Sequence, residues 1–353
     1  MVEILVALAL SLILTLVVGQ IYVSNSQAYR LQEAQSRIQE NGRFALEFLT
    51  KDIRSVGSMG CLSVLNTPLV IANSSPSITP ATSIIGYDAA TPIASYPYIT
   101  ATSTPSTWNP TPFSNVNAVA GTDILSIQFA EPCGGHLQTA VVGMTSAPSF
   151  TISSSNTCSI SVTLKSPSSP ELVLSDCSQT EIFRADPVSS TTITINSPSI
   201  NNNQDHFNYS HNVDAEVMLF HNYTYFIQPF PNNPVIPTSE PTLYRVDNAA
   251  ASPSPQPLIE GIEDMQLLYG VDLNADWSVD QYVTAGGVSN WANVIAIRVD
   301  LVIRSTGVDG TNLTTASPST PASLACNGVT VTVTDSRLRR CYSFTIDLRN
   351  PKA

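Results

Sequence analysis

The sequence is short of charge, and shortest of basic charge. Its 353 residues hold 15 Lys and Arg against 27 Asp and Glu, a net charge of −12. Arg337, Arg339 and Arg340 make the one basic cluster, too short to track a phosphate backbone, so nucleic acid is excluded as a partner. Catalytic signatures are missing as well. No GxSxG, HExxH, P-loop or GxGxxG stands at a strand–helix junction, which leaves no activated nucleophile and no phosphate cradle to name. No Cys pair is spaced CxxC and no His sits at zinc-finger spacing, which argues against structural zinc. There is no internal repeat, no charged or Gly-rich linker and, beyond residue 55, no second long helical pattern. Such a chain is not expected to be an enzyme.

What is present is concentrated at the N-terminus. Residues 4–19 are apolar apart from Ser11 and Thr15, with Glu3 at their front edge. With no Pro, and only Gly19 and Gly42 as weak points, the stretch runs on into QAYRLQEAQSRIQENGRFALEFLTKDIRSV. The two halves read as one helix, roughly 80 Å long at 1.5 Å per residue. About 20 apolar residues span a bilayer. A signal peptide would show a basic front and a small-residue cleavage site, and neither is here, so a retained anchor is the expectation. From Arg30 on, Leu31, Ile38, Ala45, Leu46, Leu49 and Ile53 fall near one face, while Glu33–Arg37, Arg43–Glu47 and Glu47–Lys51 make i,i+4 charge pairs on others. That stripe needs a cover.

The rest supplies one. Residues 1–60 are neutral, so the acidic excess, 10 basic against 22 acidic residues, belongs to the body. It is rich in Ser, Thr, Asn and Pro, which favours strands and loops. Strands are expected at 121–130, 159–164, 171–175, 191–195, 216–228, 262–271, 281–285 and 292–304, with a terminal hairpin of 328–334 and 341–349. Residues 178–185 fit a helical turn or a strand, and 62–118 read as irregular loops with short extended pieces. The expected organisation is a membrane-embedded half-helix (1–24), an amphipathic half (25–56) and a β-rich body (57–353). The fold class is α+β, one long helix packed on antiparallel sheet.

Few residues suggest chemistry. In DLNADWSVD, Asp272, Asn274, Asp276, Ser278 and Asp280 alternate like the oxygen ligands of a calcium loop. Trp277, however, stands where an EF-hand wants Gly, and Val283 where it wants Glu; an Asx-rich turn explains the same pattern. His206, His211 and His221, near Asp205 and Asp214, have no metal spacing and read as surface polar residues. Tyr223, Tyr225 and Phe226 on one strand suit core packing. Cys61, Cys133, Cys158, Cys177, Cys326 and Cys341 are even in number and lie outside the apolar segment, which suggests disulfides in an oxidising compartment. Cys326 and Cys341 flank a strand-and-turn and are the easiest pair; the other four allow three pairings. Glu3 is the oddity, because a carboxylate within hydrocarbon costs about 2.5–3.5 kcal/mol and marks a function or a partner, unless it rests at the interface.

An apolar N-terminal helix with a glutamate near its start and an amphipathic second half resembles the type IV pilins. More narrowly, RLQEAQSRIQENGRFALEFLTKDIRSVGSMGC, LSDCSQTEIF (174–183), TLYRVDN (242–248), LIEGIEDMQLLYGVD (258–272), WANVIAIRVDLVIRS (291–305) and FTIDLRN (344–350) resemble the PilW minor pilins of type IV pili. In that family the glutamate stands fifth after the precursor's cleavage site. Two mature residues and a leader are therefore expected upstream of Met1, failing which this copy could not be processed. The resemblance implies that Glu3 neutralises a neighbouring subunit's N-terminal amine and sets its register. It also implies an inner-membrane protein with a periplasmic body that moves to the pilus tip. There it would prime assembly with other minor pilins, the major pilin and a tip adhesin. The alternatives are a J-type pseudopilin of type II secretion, or an adhesive module binding a surface through the loops at 62–118 and 196–212.

Overall fold

The computed structural model describes residues 2–61, 68–72, 83–89, 95–96, 108–109, 118–158, 170–195, 202–229, 240–250, 253–306, 322–326, 329–333, 335 and 337–349. The strand expected at 159–164 and most of the 62–118 loop stretch lie outside these residues. The first 53 described residues form one helix, α1 (Val2–Arg54), uninterrupted because nothing in it removes a backbone donor. Its two hydroxyls in the apolar half are satisfied within the helix. Ser11 Oγ donates to the Leu8 carbonyl at 2.9 Å and Thr15 Oγ1 to the Ser11 carbonyl at 2.8 Å, so neither adds an unpaired donor to the apolar half.

The strands follow in chain order. They begin with β1 (Leu69–Val70), β2 (Ile84–Ala89), β3 (Ser95–Tyr96), β4 (Trp108–Asn109), β5 (Ile124–His136), β6 (Ser149–Thr151) and β7 (Glu171–Ser175). Next come β8 (Thr180–Arg184), β9 (Asp186–Pro187), β10 (Thr192–Thr194), β11 (Glu216–Pro229), β12 (Pro241–Asp247) and β13 (Gln256–Glu260). The last are β14 (Ile262–Val271), β15 (Gln281–Val283), β16 (Val294–Arg304), β17 (Ala322–Cys326), β18 (Val329–Val333) and β19 (Arg339–Asp347). Residues 180–184 are thus strand, which settles the helix-or-strand ambiguity there: the run TEIFR is buried throughout and pairs along its whole length with β7.

The main sheet has nine strands and runs β1-β8-β7-β11-β5-β2-β4. Its long spine, β11, pairs with β5 along one edge and divides its other edge. Residues 216–219 take β7 and residues 223–229 take β12, which in turn carries β13. A four-stranded sheet runs β15-β14-β16-β19, antiparallel at every pair. Gly261, at φ 82°, turns the chain from β13 into β14 and so joins the two sheets. A second join is polar. Asp123 donates its N–H to the Met265 carbonyl at 2.8 Å and accepts from the N–H groups of Leu267 (2.8 Å) and Ala89 (3.1 Å). Burial pushes this carboxyl up to about 8, even though both N–H groups favour its ionised form.

The expected terminal hairpin is corrected. Residues 329–333 pair with 322–326, while β19 aligns in nine-residue register with β16. The reason is burial: every residue of β16 except Arg298 is buried, so this strand needs a long partner on each edge, and VTVTV is too short to be one. The largest core spans both sheets and the helix. Ile38, Ala45, Leu49 and Ile53 of α1 meet Tyr223, Tyr225 and Ile227 of β11 and Ile297, Val299, Leu301 and Ile303 of β16. A separate core around Phe150, Phe183 and Phe207 includes no residue of α1.

Candidate functional site

The feature that sets this molecule apart is a helix whose two halves have opposite surroundings. Every side chain from Val2 to Asn25 is exposed, including the apolar series Ile4, Leu5, Leu8, Leu12, Leu16 and Ile21, and the helix is long and apolar enough to cross a membrane. Glu3 lies in its first turn, at the positive end of the helix dipole, where a carboxylate is favoured. Among the described residues, no body side chain covers this half. At 1.5 Å per residue, Glu3 lies roughly 70 Å from Asp52, the last polar anchor of the helix.

The second half is clamped. The buried positions are Ala34, Ile38, Gly42, Ala45, Leu49, Asp52 and Ile53, spaced by three and four. Of the stripe expected from sequence, Leu31 is only half-buried and Leu46 stays exposed, one step of about 100° off the face that Ala45 commits to the sheet. Small residues take the closest approach. A Cβ on Gly42 would stand 2.8 Å from the Tyr342 ring, so only glycine lets β19 lie this near the helix. Tyr342 also donates its hydroxyl to the Ile38 carbonyl at 3.4 Å.

One turn from the helix end, Asp52 makes a buried polar lock. Its carboxylate accepts a short hydrogen bond from the Tyr225 hydroxyl and another, at 3.1 Å, from Arg245 Nη1. Burial, and then the adjacent Asp52 charge, pushes the Tyr225 hydroxyl well above its usual range, so it serves as a donor at every physiological pH. Arg245 is held in turn over the Tyr223 ring, 4.2 Å from its centroid. The three aromatics singled out on this strand divide between faces: Tyr223 and Tyr225 turn to the helix, and Phe226 stacks on Tyr244 in another cluster. Past the helix, Gly57 (φ 73°) lets its N–H reach the Gln128 carbonyl at 3.0 Å, and Ser58 accepts from Ala130 N–H at 2.7 Å. Cys61 then bonds Cys177 across 116 residues. The exit of α1 is thereby fastened to β5 and to the turn between β7 and β8.

The other cysteines are also paired, Cys133 with Cys158 and Cys326 with Cys341. The candidate calcium loop is closed upon itself. Asp272 accepts from the N–H groups of Asn274, Ala275 and Trp277, Asp280 from Leu273, Asn274 from Asp276, and Asp276 from Ser278 and from the Asn274 amide. The Ser278 N–H holds the Asp276 carboxyl below its usual range. A cation here would have to displace several of these bonds.

The histidines are not the surface group expected. His211 is buried, its Nε2 3.0 Å from Glu181 and its Nδ1 3.2 Å from Asp176. His221 lies between Asp247 and Glu131, and His206 beside Asp205, each on its own carboxylates. Sequence reasoning missed the lock altogether. Asp52 reads as one more surface charge in a helix rich in them; its position one residue before Ile53 on the apolar face is the only hint.

The sequence model of the family described as Type IV Pilus-assembly protein W matches residues 224–350, from the second half of β11 to the end of β19. The segments TLYRVDN, LIEGIEDMQLLYGVD, WANVIAIRVDLVIRS and FTIDLRN fall inside that range, and the match supports a PilW-family pilin. No curated protein matches the chain. Among solved structures, a type IV-like pilin from Thermus thermophilus aligns with 52% of this chain and 86% of its own at 17% identity and a TM-score of 0.21.

Proposed function

We propose that this pilus-related pilin is a minor pilin that primes type IV pilus assembly and ends in the tip complex. Its partners would be other minor pilins, the major pilin and a tip adhesin. One observation carries the reading: a single helix whose first half is wholly uncovered and whose second half is clamped to the body. In the inner membrane the uncovered half is solvated by lipid and the acidic body is periplasmic. In a filament the same surface packs against neighbouring helices. Glu3 is assigned the register. Left alone in hydrocarbon its carboxylate costs about 2.5–3.5 kcal/mol, and the terminal ammonium of an adjacent subunit removes that cost at one axial offset only.

The test is a chromosomal deletion scored in parallel for surface pili with twitching and for exoenzyme secretion. The expected result is loss of pili with normal secretion, restored by the full-length gene and not by Glu3→Ala. Normal piliation with failed secretion would overturn the reading in favour of a type II secretion pseudopilin. Survival of both would leave an adhesive module as the idea to pursue.

A further inference from the structure

The outer face of the four-stranded sheet holds a buried acidic group away from the helix. In β16 the odd residues Ile297 to Ile303 face the helix-side core, which turns Asp300 and Val302 the other way. The β17–β18 hairpin lies over this face, with Val331, Val333, Leu324 and Cys326 packed about Val302. Asp300 is 1% exposed, and neither carboxylate oxygen has a hydrogen-bond donor. Arg298 Nε stands 3.4 Å from Oδ2 without making a hydrogen bond. That partly exposed guanidinium gives the carboxylate an ion pair but leaves both buried oxygens without a hydrogen bond, which is costly. Cys341 lies opposite Val302 in the β16–β19 register, two pairs along from Asp300 and Ser343 and so on the same face, and its disulfide brings in Cys326 from the hairpin. A carboxylate oxygen of Asp300 and the two sulfurs lie within 4.8 Å of one another.

We propose that in the dithiol form of the chain Cys326, Cys341 and Asp300 bind a thiophilic divalent cation of the zinc class, so that metal binding and disulfide closure compete for the same two sulfurs. Two thiolates, one carboxylate oxygen and a water make a tetrahedral set suited to zinc. Binding involves no redox change: the two thiols release two protons and the cation takes their place. Closure forms the S–S bond instead. It releases the same two protons and passes two electrons to an oxidant disulfide, which becomes two thiols. Without the cation, two thiolates beside a buried carboxylate would repel one another. With it, an oxygen of Asp300 that Arg298 pairs but does not hydrogen-bond gains a ligand bond. This inference is independent of the assembly reading.

The test uses the full chain in detergent, reduced with a phosphine and titrated with Co²⁺ as the metal probe. A thiolate-to-cobalt charge-transfer band is expected at one equivalent. It should vanish in the Cys326→Ser, Cys341→Ser double variant, which keeps the four other cysteines. Asp300→Asn should weaken Co²⁺ binding by at least about tenfold, the lower bound even for an outer-sphere partner of a metal. In the unmutated chain, added Zn²⁺ should slow closure of Cys326–Cys341, mapped by alkylation and mass spectrometry, and leave closure of Cys133–Cys158 unchanged. A band that survives the double Ser variant, an affinity indifferent to Asp300→Asn, or closure rates indifferent to zinc would each overturn the proposal.

Discussion

Replacing Asp52 by Ala should loosen the seat of the helix in a way that a second substitution partly repairs. Asp52 is 5% exposed and its partner Tyr225 is fully buried. Removing the carboxylate leaves the Tyr225 hydroxyl as a buried donor with no acceptor, at a cost of about 1–3 kcal/mol. The bond to Arg245 is lost as well, but that guanidinium is partly exposed and keeps its place over Tyr223. Water replaces most of what it loses, so this part is below about 1 kcal/mol. Asp52→Ala should therefore cost about 1–4 kcal/mol. Tyr225→Phe alone leaves Asp52 with Arg245 and should cost about 1 kcal/mol.

The double variant has no orphaned hydroxyl, and so it should be no less stable than Asp52→Ala and short of the sum of the singles. Urea denaturation of the full chain in detergent, followed by tryptophan fluorescence, gives the three values. Amide hydrogen exchange locates the effect, with protection expected to fall over residues 45–54 and to hold in β7 and β8. Additive singles, or an exchange increase spread evenly over the body, would refute the claim that this lock fixes the helix.

Four further outcomes follow from the same reasoning. Asp123, raised from 3.8 to about 8, is protonated in both states below pH 3.8 and ionised only in the unfolded state between the two values. Stability should therefore fall as pH rises through that window, by up to about 1.4 kcal/mol per pH unit, and Asp123→Asn should flatten the slope; parallel urea-midpoint curves from pH 5 to 8 would contradict this. Gly42→Ala should press on the Tyr342 ring and cost about 1–3 kcal/mol, read as a lower melting temperature, whereas the same change at uncrowded Gly19 should be harmless or mildly stabilising. Serine in place of both cysteines should cost more at Cys61–Cys177, closing 116 residues, than at Cys326–Cys341, closing 15, about 5 against about 3 kcal/mol by loop entropy; equal losses in melting experiments would argue otherwise. Asp272→Ala should lower stability by about 1–3 kcal/mol in chelator-treated buffer, because three N–H groups lose their acceptor with no cation involved; a loss seen only when calcium is added would make the turn a calcium loop after all.

How far the sequence disclosed all this depends on how local each cause is. The helix was legible in full, because its signal is a composition: apolar, without proline, and unbroken over more than fifty residues. Strands expected at 171–175, 216–228 and 262–271 were legible for the same reason, as largely apolar runs between turns. Pairing was not. The partner of VTVTV was misassigned because antiparallel register is decided by which strand is buried on both faces, and the demand comes from β16, well upstream of the residues that answer it.

Charge in the core was the least legible of all. Asp52, Asp123 and Asp300 are written like any surface acid, yet one locks the helix, one joins two sheets through backbone N–H groups, and one faces a disulfide with an ion pair and no hydrogen bond. A carboxylate declares its role only through the groups that surround it. Those groups come from far along the chain for two of them, Tyr225 for Asp52 and Leu267 for Asp123, while Asp300 has an ion pair with Arg298 on its own strand and no hydrogen bond. Gly42 shows the limit from the other side. It looks like a flaw in a helix, worth about 1 kcal/mol against alanine. The structure makes it the position where a tyrosine of the last strand rests, so that the weakest helix former in the amphipathic half is what allows the body to hold the helix closely.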